Sequence, residues 1–203
     1  MERTTDVAVI GGGAAGLSAA LFVARAGLSA VVIDQERSII KRAKMHNLPG
    51  AGATEGREYL ADLRGQAAAA GVSIESGKVR DVVPGDGFAV HIDGSGDADS
   101  DEGSALRARY LVLASGQGTV TLPSLTLATD PPRQPFVKAN VRTDRWGETS
   151  IPNVWAAGLV AGWPSQVVIC AGSGAAVGIE IASRDKGEFW VDHDDSSLPR
   201  DPS

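Results

Sequence analysis

Val7-Ala8-Val9-Ile10-Gly11-Gly12-Gly13-Ala14-Ala15-Gly16 runs from an apolar strand, through G-x-G-x-x-G, into a helix. A continuous apolar run of this length reads as a strand buried on both faces. Gly11 permits the tight turn, Gly13 lets a pyrophosphate approach the backbone, and Gly16 lets the helix pack against the strand. The free N–H groups and positive dipole end of that helix then suit phosphate. The stretch therefore points to dinucleotide binding.

The surrounding sequence supplies the context such a motif needs. Ala14 to Ala26 is an unbroken helix former closed by Gly27, and Ser29-Ala30-Val31-Val32-Ile33 is a second buried strand with Asp34 at its tip. At this βαβ spacing an acid hydrogen-bonds a ribose hydroxyl. A carboxylate there repels a 2′-phosphate, which argues against NADP but does not separate NAD from FAD.

Composition narrows the classes. The chain has 203 residues, 43% hydrophobic, enough for one large domain or a tight pair with a real core. A net charge of −6 argues against a nucleic-acid surface. No uninterrupted run of ~20 apolar residues predicts a membrane span, and Met1 to Asp6 is too short and polar for a signal peptide. The single cysteine excludes an internal disulfide and a CxxC pair. A cytoplasmic location is expected. Arg outnumbers Lys 14 to 5 and Asp outnumbers Glu 16 to 9. Acidic clusters fall at 97–102 and 192–195, a pattern compatible with solvated loops or with adaptation to high salt.

Further along, 35–47 reads as a basic, polar connection and Leu48-Pro49-Gly50 as a turn. Thr54 to Ala70 has helical spacing, with Leu60, Leu63, Ala67 and Ala70 on one face. Short strands are expected at 72–75, 78–83, 88–92 and 106–114, with a polar loop at 94–103. Residues 117–135, with four prolines, read as an irregular linker. Phe136 to Arg142 reads as a strand, Val154-Trp155-Ala156-Ala157-Gly158 as a buried strand, Gln166 to Ser183 as a last helix, and 184–203 as a polar, acidic tail. The expected fold is α/β: a Rossmann-like domain over 1–183, with a central parallel sheet, helices on its faces and a β-meander.

With these pieces in order, the chain resembles the FAD domain of thioredoxin-reductase-like flavoproteins. Gly11-Gly12-Gly13-Ala14-Ala15-Gly16 with Asp34 is the first match. Asn47-Leu48-Pro49-Gly50 resembles the family's N-[FY]-P-G, and Leu111-Val112-Leu113-Ala114-Ser115-Gly116 its strand ending in A-T-G. Thr149 to Gly158 resembles T-S-x-P-G-[VIL]-[FY]-A-A-G-D, and Gln166 to Gly174 the start of the final flavin-facing helix. The last two matches move the expected cofactor from NAD to FAD.

The resemblance implies a site residue by residue. Gly11, Gly13 and Gly16 would hold the FAD pyrophosphate and Asp34 the adenosine ribose. Asn47 would lie near the ribityl chain or flavin, Gly158 would let the ribityl chain pass, and Gln166 and Val167 would sit by the pyrimidine edge. Ala14, Ala15, Gln35, Gly116 and Leu159 complete the expected cofactor-binding set. No metal site is expected, and no side chain stands out as catalytic acid, base or nucleophile.

Three departures matter. Leu159 stands where the family has an acid after A-A-G, which implies weaker FAD retention. About twenty proline-rich residues follow Gly116 where the family inserts its NADPH domain, too few for a βαβ unit of ~30. The CxxC of that domain is absent. The expected function is thus a flavin-dependent oxidoreductase whose electron donor is a nicotinamide nucleotide or a redox protein and whose acceptor is unknown. The alternative is an FAD electron-transfer subunit completed by another chain. A plain NAD-binding protein is disfavoured, since neither Tyr59 nor Tyr110 has a lysine four residues on. Cys170 reads as a small core residue, with a thiol beside the flavin as its functional alternative. His46, Lys41, Arg42 and Lys44 read as solvated loop residues. A homodimer through Trp146 or Trp163 is compatible with the sequence.

Overall fold

The computed structural model describes residues 3–93, 104–117 and 122–193. The expected loop at 94–103, with its acidic cluster, and the tail beyond 193 lie outside these residues. Five parallel strands form the centre of the sheet. They are β1 (Arg3–Ile10), β2 (Ala30–Asp34), β5 (Ser73–Ser76), β8 (Ser104–Leu113) and β11 (Val154–Ala156), in the order β5-β2-β1-β8-β11. β6 (Lys78–Gly85) and β7 (Gly87–Asp93) form an antiparallel hairpin that attaches to β8.

β8 divides one edge between two partners. β7 pairs with Ser104–Ala108, and β11 with Leu111–Leu113. Two small ribbons complete the strands: β3 (Lys44–Met45) with β4 (Thr54–Glu55), and β9 (Thr129–Asp130) with β10 (Asn140–Val141).

The three α-helices of the described residues lie on one face of the sheet. α1 (Ala14–Arg25), α2 (Gly56–Ala69) and α3 (Val167–Lys186) contribute to a core with Val7, Val9, Val32, Val112 and Trp155. The opposite face, carrying Ala8, Ile33, Leu111 and Val154, is covered by the β6–β7 hairpin and by Leu122, Leu125 and Val141. The expected parallel sheet, helices and β-meander are present; the helices cover one face, and the strand hairpin with an irregular segment covers the other. Both coverings suffice because burial is non-directional and scales with apolar area.

α1 and α3 touch through backbone. A Cβ at Gly174 would stand 2.0 Å from the Ala15 carbonyl oxygen, and one at Gly178 2.7 Å from that of Ala19. The small residues of the last helix therefore admit another helix. α3 is long and apolar enough to cross a membrane by length and composition, but its Gly174, Val177, Gly178 and Ile181 face is buried.

Three expectations need correction. The strand expected over Phe136 to Arg142 shrinks to Asn140–Val141, because Pro135 offers no N–H and Val137 N–H donates back to Gln134 O in a turn. The last helix runs on to Lys186 and closes on Gly187 at φ +72°, so 184–186 belong to the helix and not to the tail. Thr54 and Glu55 form β4, and α2 starts at Gly56, where a Cβ would sit 1.8 Å from Ile40 O. Part of the presumed tail also packs back: Trp190 N–H donates to Ser183 Oγ and Arg25 pairs with Asp192.

Candidate functional site

The carboxyl ends of β1, β2, β8 and β11 converge. Gly11 N–H donates to Ile33 O, Ala114 N–H to Ile10 O, and Ala157 N–H to Leu113 O, each at 2.8–2.9 Å. Just beyond these bonds lies a cleft of about 330 Å³. This is where ligands bind in open parallel sheets.

Each side of the cleft has its own reason for its residues. Gly11 takes φ +110°, and a Cβ there would meet Ala114 O at 2.4 Å, so only glycine makes this turn. At Gly13 the only neighbour of a Cβ is Ser38 Oγ at 3.6 Å, so this glycine opens onto free space. No side chain caps α1 at Gly13, nor α3 at Gln166. The first-turn N–H groups of each helix have no intrahelical partner. Gly13, Ala14 and Ala15 of the first helix and Val167 of the second line the same cleft. Gly158, at φ +72°, is fixed by its N–H to Ser173 Oγ at 2.9 Å, and Ser173 Oγ donates on to Cys170 O at 2.8 Å.

Ten of the thirteen expected cofactor residues line the cleft: Gly11, Gly13, Ala14, Ala15, Asp34, Gln35, Gly116, Gly158, Leu159 and Val167. Three do not. Gly16 is buried beneath it, where a Cβ would fall 1.9 Å from Gly11 O; its part is helix–strand packing. Asn47 and Gln166 meet each other instead, Asn47 Nδ2 donating to Gln166 Oε1 at 2.6 Å across 119 residues. Leu159 is 6% exposed, and its carbonyl accepts from Asn140 Nδ2 at 2.9 Å. Asn140 in turn accepts from Arg133 N–H at 3.0 Å, so this buried amide is used on both sides.

Asp34 is 5% exposed, and its Oδ2 accepts from Arg64 at 2.9 Å. Cys170 departs from its expected place: it is half-buried, lines the cleft, and donates from Sγ to Pro164 O at 3.5 Å. Burial pushes its thiol above the ordinary range against a backbone hydrogen bond from Leu159, so it is protonated at neutral pH. Sequence reasoning also missed Arg37, Ser38, Ile39, Ile40, Gly77, Val79 and Ser165 along the walls. The first four come from a 3-10 turn at Ile39–Arg42, and the residues leading into it, inside the presumed polar connection. The apolar pair Ile39-Ile40 within that polar stretch was the available signal. His46 is exposed, as are Trp146 and Trp163. Lys41 and Lys44 are surface residues facing Glu36 and Glu55. Among the described residues no cluster of His, Cys, Asp or Glu is arranged to hold a metal.

Comparison with known proteins agrees with this geometry. A thioredoxin reductase from Listeria monocytogenes is 28% identical over 118 residues, 57% of this chain. The match covers 34% of that protein, so the chain spans about a third of the length of the curated relative. Among solved structures, a thioredoxin reductase from Gloeobacter violaceus superposes with a TM-score of 0.76 at 19% identity, over 97% of this chain and 100% of that one. A ferredoxin-flavin thioredoxin reductase from Clostridium acetobutylicum gives 0.71 at 14% identity, over 93% and 100%. These likenesses are of fold. The family match covers residues 5–134, more than half of the sequence, and the protein belongs to the pyridine nucleotide-disulphide oxidoreductase family.

Proposed function

We propose that the cleft binds FAD and that the domain is a flavin-dependent oxidoreductase. The observation that carries this reading is the meeting of two uncapped helix N-termini, at Gly13 and Gln166, on one glycine-lined cleft with a buried acid at one end. A Cβ at Gly13 would meet nothing closer than 3.6 Å, so the backbone there is open to close approach by a ligand.

The residues present fit the group along most of its length. Gly11, Gly13, Ala14 and Ala15 would hold the pyrophosphate through backbone N–H groups. Asp34 would accept from ribose hydroxyls, and its charge disfavours a 2′-phosphate. Gly158 would let the ribityl chain pass. When bound, the isoalloxazine supplies the redox chemistry. The N-terminus of α3 places a partial positive charge on its side of the cleft, which favours an anionic reduced state. Leu159 offers an apolar side chain where the resemblance implies a carboxylate. A charge-assisted hydrogen bond is worth about 1.5–3 kcal/mol, so its lack weakens retention by roughly ten- to a hundredfold.

The sequence carries one G-x-G-x-x-G and no CxxC. Electrons therefore reach the cleft either from a diffusing nicotinamide nucleotide or from a redox protein, the second route being the one that the name ferredoxin-flavin thioredoxin reductase gives to the Clostridium enzyme. An anaerobic visible spectrum of FAD-loaded protein, titrated with NADPH and then NADH, separates the two. Bleaching of the flavin bands is the outcome for direct hydride acceptance. Bound flavin that stays oxidised assigns reduction to a partner protein. Failure to bind FAD at all would sink the proposal.

A further inference from the structure

Asp34 is a carboxylate with a 7% exposed side chain and one partner among the described residues. Its Oδ2 accepts from Arg64 at 2.9 Å, while Oδ1 accepts from none of them. The side chain lies against backbone: a Cβ at Gly12 would stand 2.6 Å from its carboxyl carbon. Asp34 lines the cleft and Oδ1 keeps some accessible surface, so one of its two acceptor oxygens is open to another donor. Arg64 projects from α2, whose Leu60, Leu63 and Ala67 are buried, so its stem starts from a fixed element. Its second amino nitrogen is 4.0 Å from Glu36. Arg64 does not line the cleft, whereas Asp34 does.

We propose that Arg64 is the positioning residue for ribose recognition. Through Oδ2 it holds the Asp34 carboxylate in one orientation, with the remaining lone pairs available to the hydroxyls of an adenosine ribose. The guanidinium offers a rigid, planar fork of donors for this. Arg64 acts only through Asp34, so it tunes the contrast between ribose and deoxyribose rather than general affinity for phosphate. This inference rests on the reading of the cleft as a dinucleotide site.

Calorimetric titration of the whole chain with ADP and with 2′-deoxy-ADP tests it, on the parent and on Arg64→Gln, with thermal melts alongside. The parent should prefer ADP by about tenfold or more, the value of one charge-assisted hydrogen bond. In Arg64→Gln that preference should fall to about twofold, mostly through weaker ADP binding. Where Arg64→Gln is unfolded at the assay temperature, Arg64→Lys is read the same way, since it keeps the charge but loses the planar fork. Equal weakening of both nucleotides, no change in either, or tighter ADP binding would overturn the proposal. So would a parent without preference. A parent that binds neither ADP nor FAD removes the dinucleotide reading itself; a parent that binds them with a ratio insensitive to Arg64 removes only the positioning role.

Discussion

Two glycines of one motif do opposite work. Gly13 borders free space, and Gly16 borders Gly11 O at 1.9 Å from where its Cβ would be. Gly13 has φ −83°, open to any residue, so Gly13→Val leaves the fold standing. We expect its melting temperature to fall by less than about 5 °C, since a poor N-cap costs about 1 kcal/mol. FAD affinity should drop at least a hundredfold, read as flavin fluorescence in the filtrate. Gly16→Ala should show the reverse emphasis, with about 1–3 kcal/mol lost to overpacking in a chemical or thermal melt. Retention of flavin by Gly13→Val would show the pyrophosphate lies elsewhere. The glycines were legible because each answers to a backbone requirement. The Arg64–Asp34 contact was not, because nothing in the sequence couples positions 30 residues apart through a side chain.

Between elements, the α1–α3 contact carries the largest steric demand. Gly174 sits with Ala15 O at 2.0 Å and Ala15 Cα at 2.9 Å from its missing Cβ, both backbone atoms that have no rotamer to change. Gly174→Ala must push the two helices apart, and it should destabilise the chain by at least about 2 kcal/mol in denaturant unfolding. It should also weaken FAD binding, since Ala15 and Val167 line the cleft from these two helices. A variant as stable as the parent would contradict the close approach. The Ala- and Gly-rich sequence of α3 permits a close neighbour but does not specify which element it is. The apolar spacing of α2 likewise marked its buried side but carried no information about which sheet face would receive all three helices.

At the scale of the molecule, far-flung surface pairs tie the last helix to the sheet. Arg184 makes two hydrogen bonds to Glu148, at 2.5 and 2.7 Å, and its guanidinium lies 4.7 Å above the Trp155 ring. Arg109 bridges Asp6 and Asp185. The hydrogen bond from Arg184 holds Glu148 below the ordinary carboxylate value. For Asp6 burial pushes upward, but hydrogen bonds from Ser29 and Arg109 outweigh it and the net shift is also downward. Carboxyls lowered in the fold add stability above their unfolded values, and that contribution is lost as pH falls through the folded ones. Melting temperatures of the parent should therefore fall steeply below about pH 4. Arg184→Gln should lie lower at pH 7 by about 1 kcal/mol and converge on the parent in acid. Parallel curves would mean that Arg184 acts by packing alone.

The parallel sheet and its crossing helices were readable as apolar runs and periodicity. The division of β8 between two partners was not, because it depends on tertiary register. That division has a consequence for how the chain is made. One side of the cleft is built from residues 10–40, which are synthesised before the opposite side. The opposite side comes from 157–170, just after the three residues of β11 that pair with the end of β8, the strand that also pairs with β1 and β7. Synthesis proceeds from the amino end at ~5–20 residues per second, so a nascent chain carries one wall of the cleft for several seconds before the other is made, and under the proposed reading capture of the whole cofactor would be a late event in biogenesis.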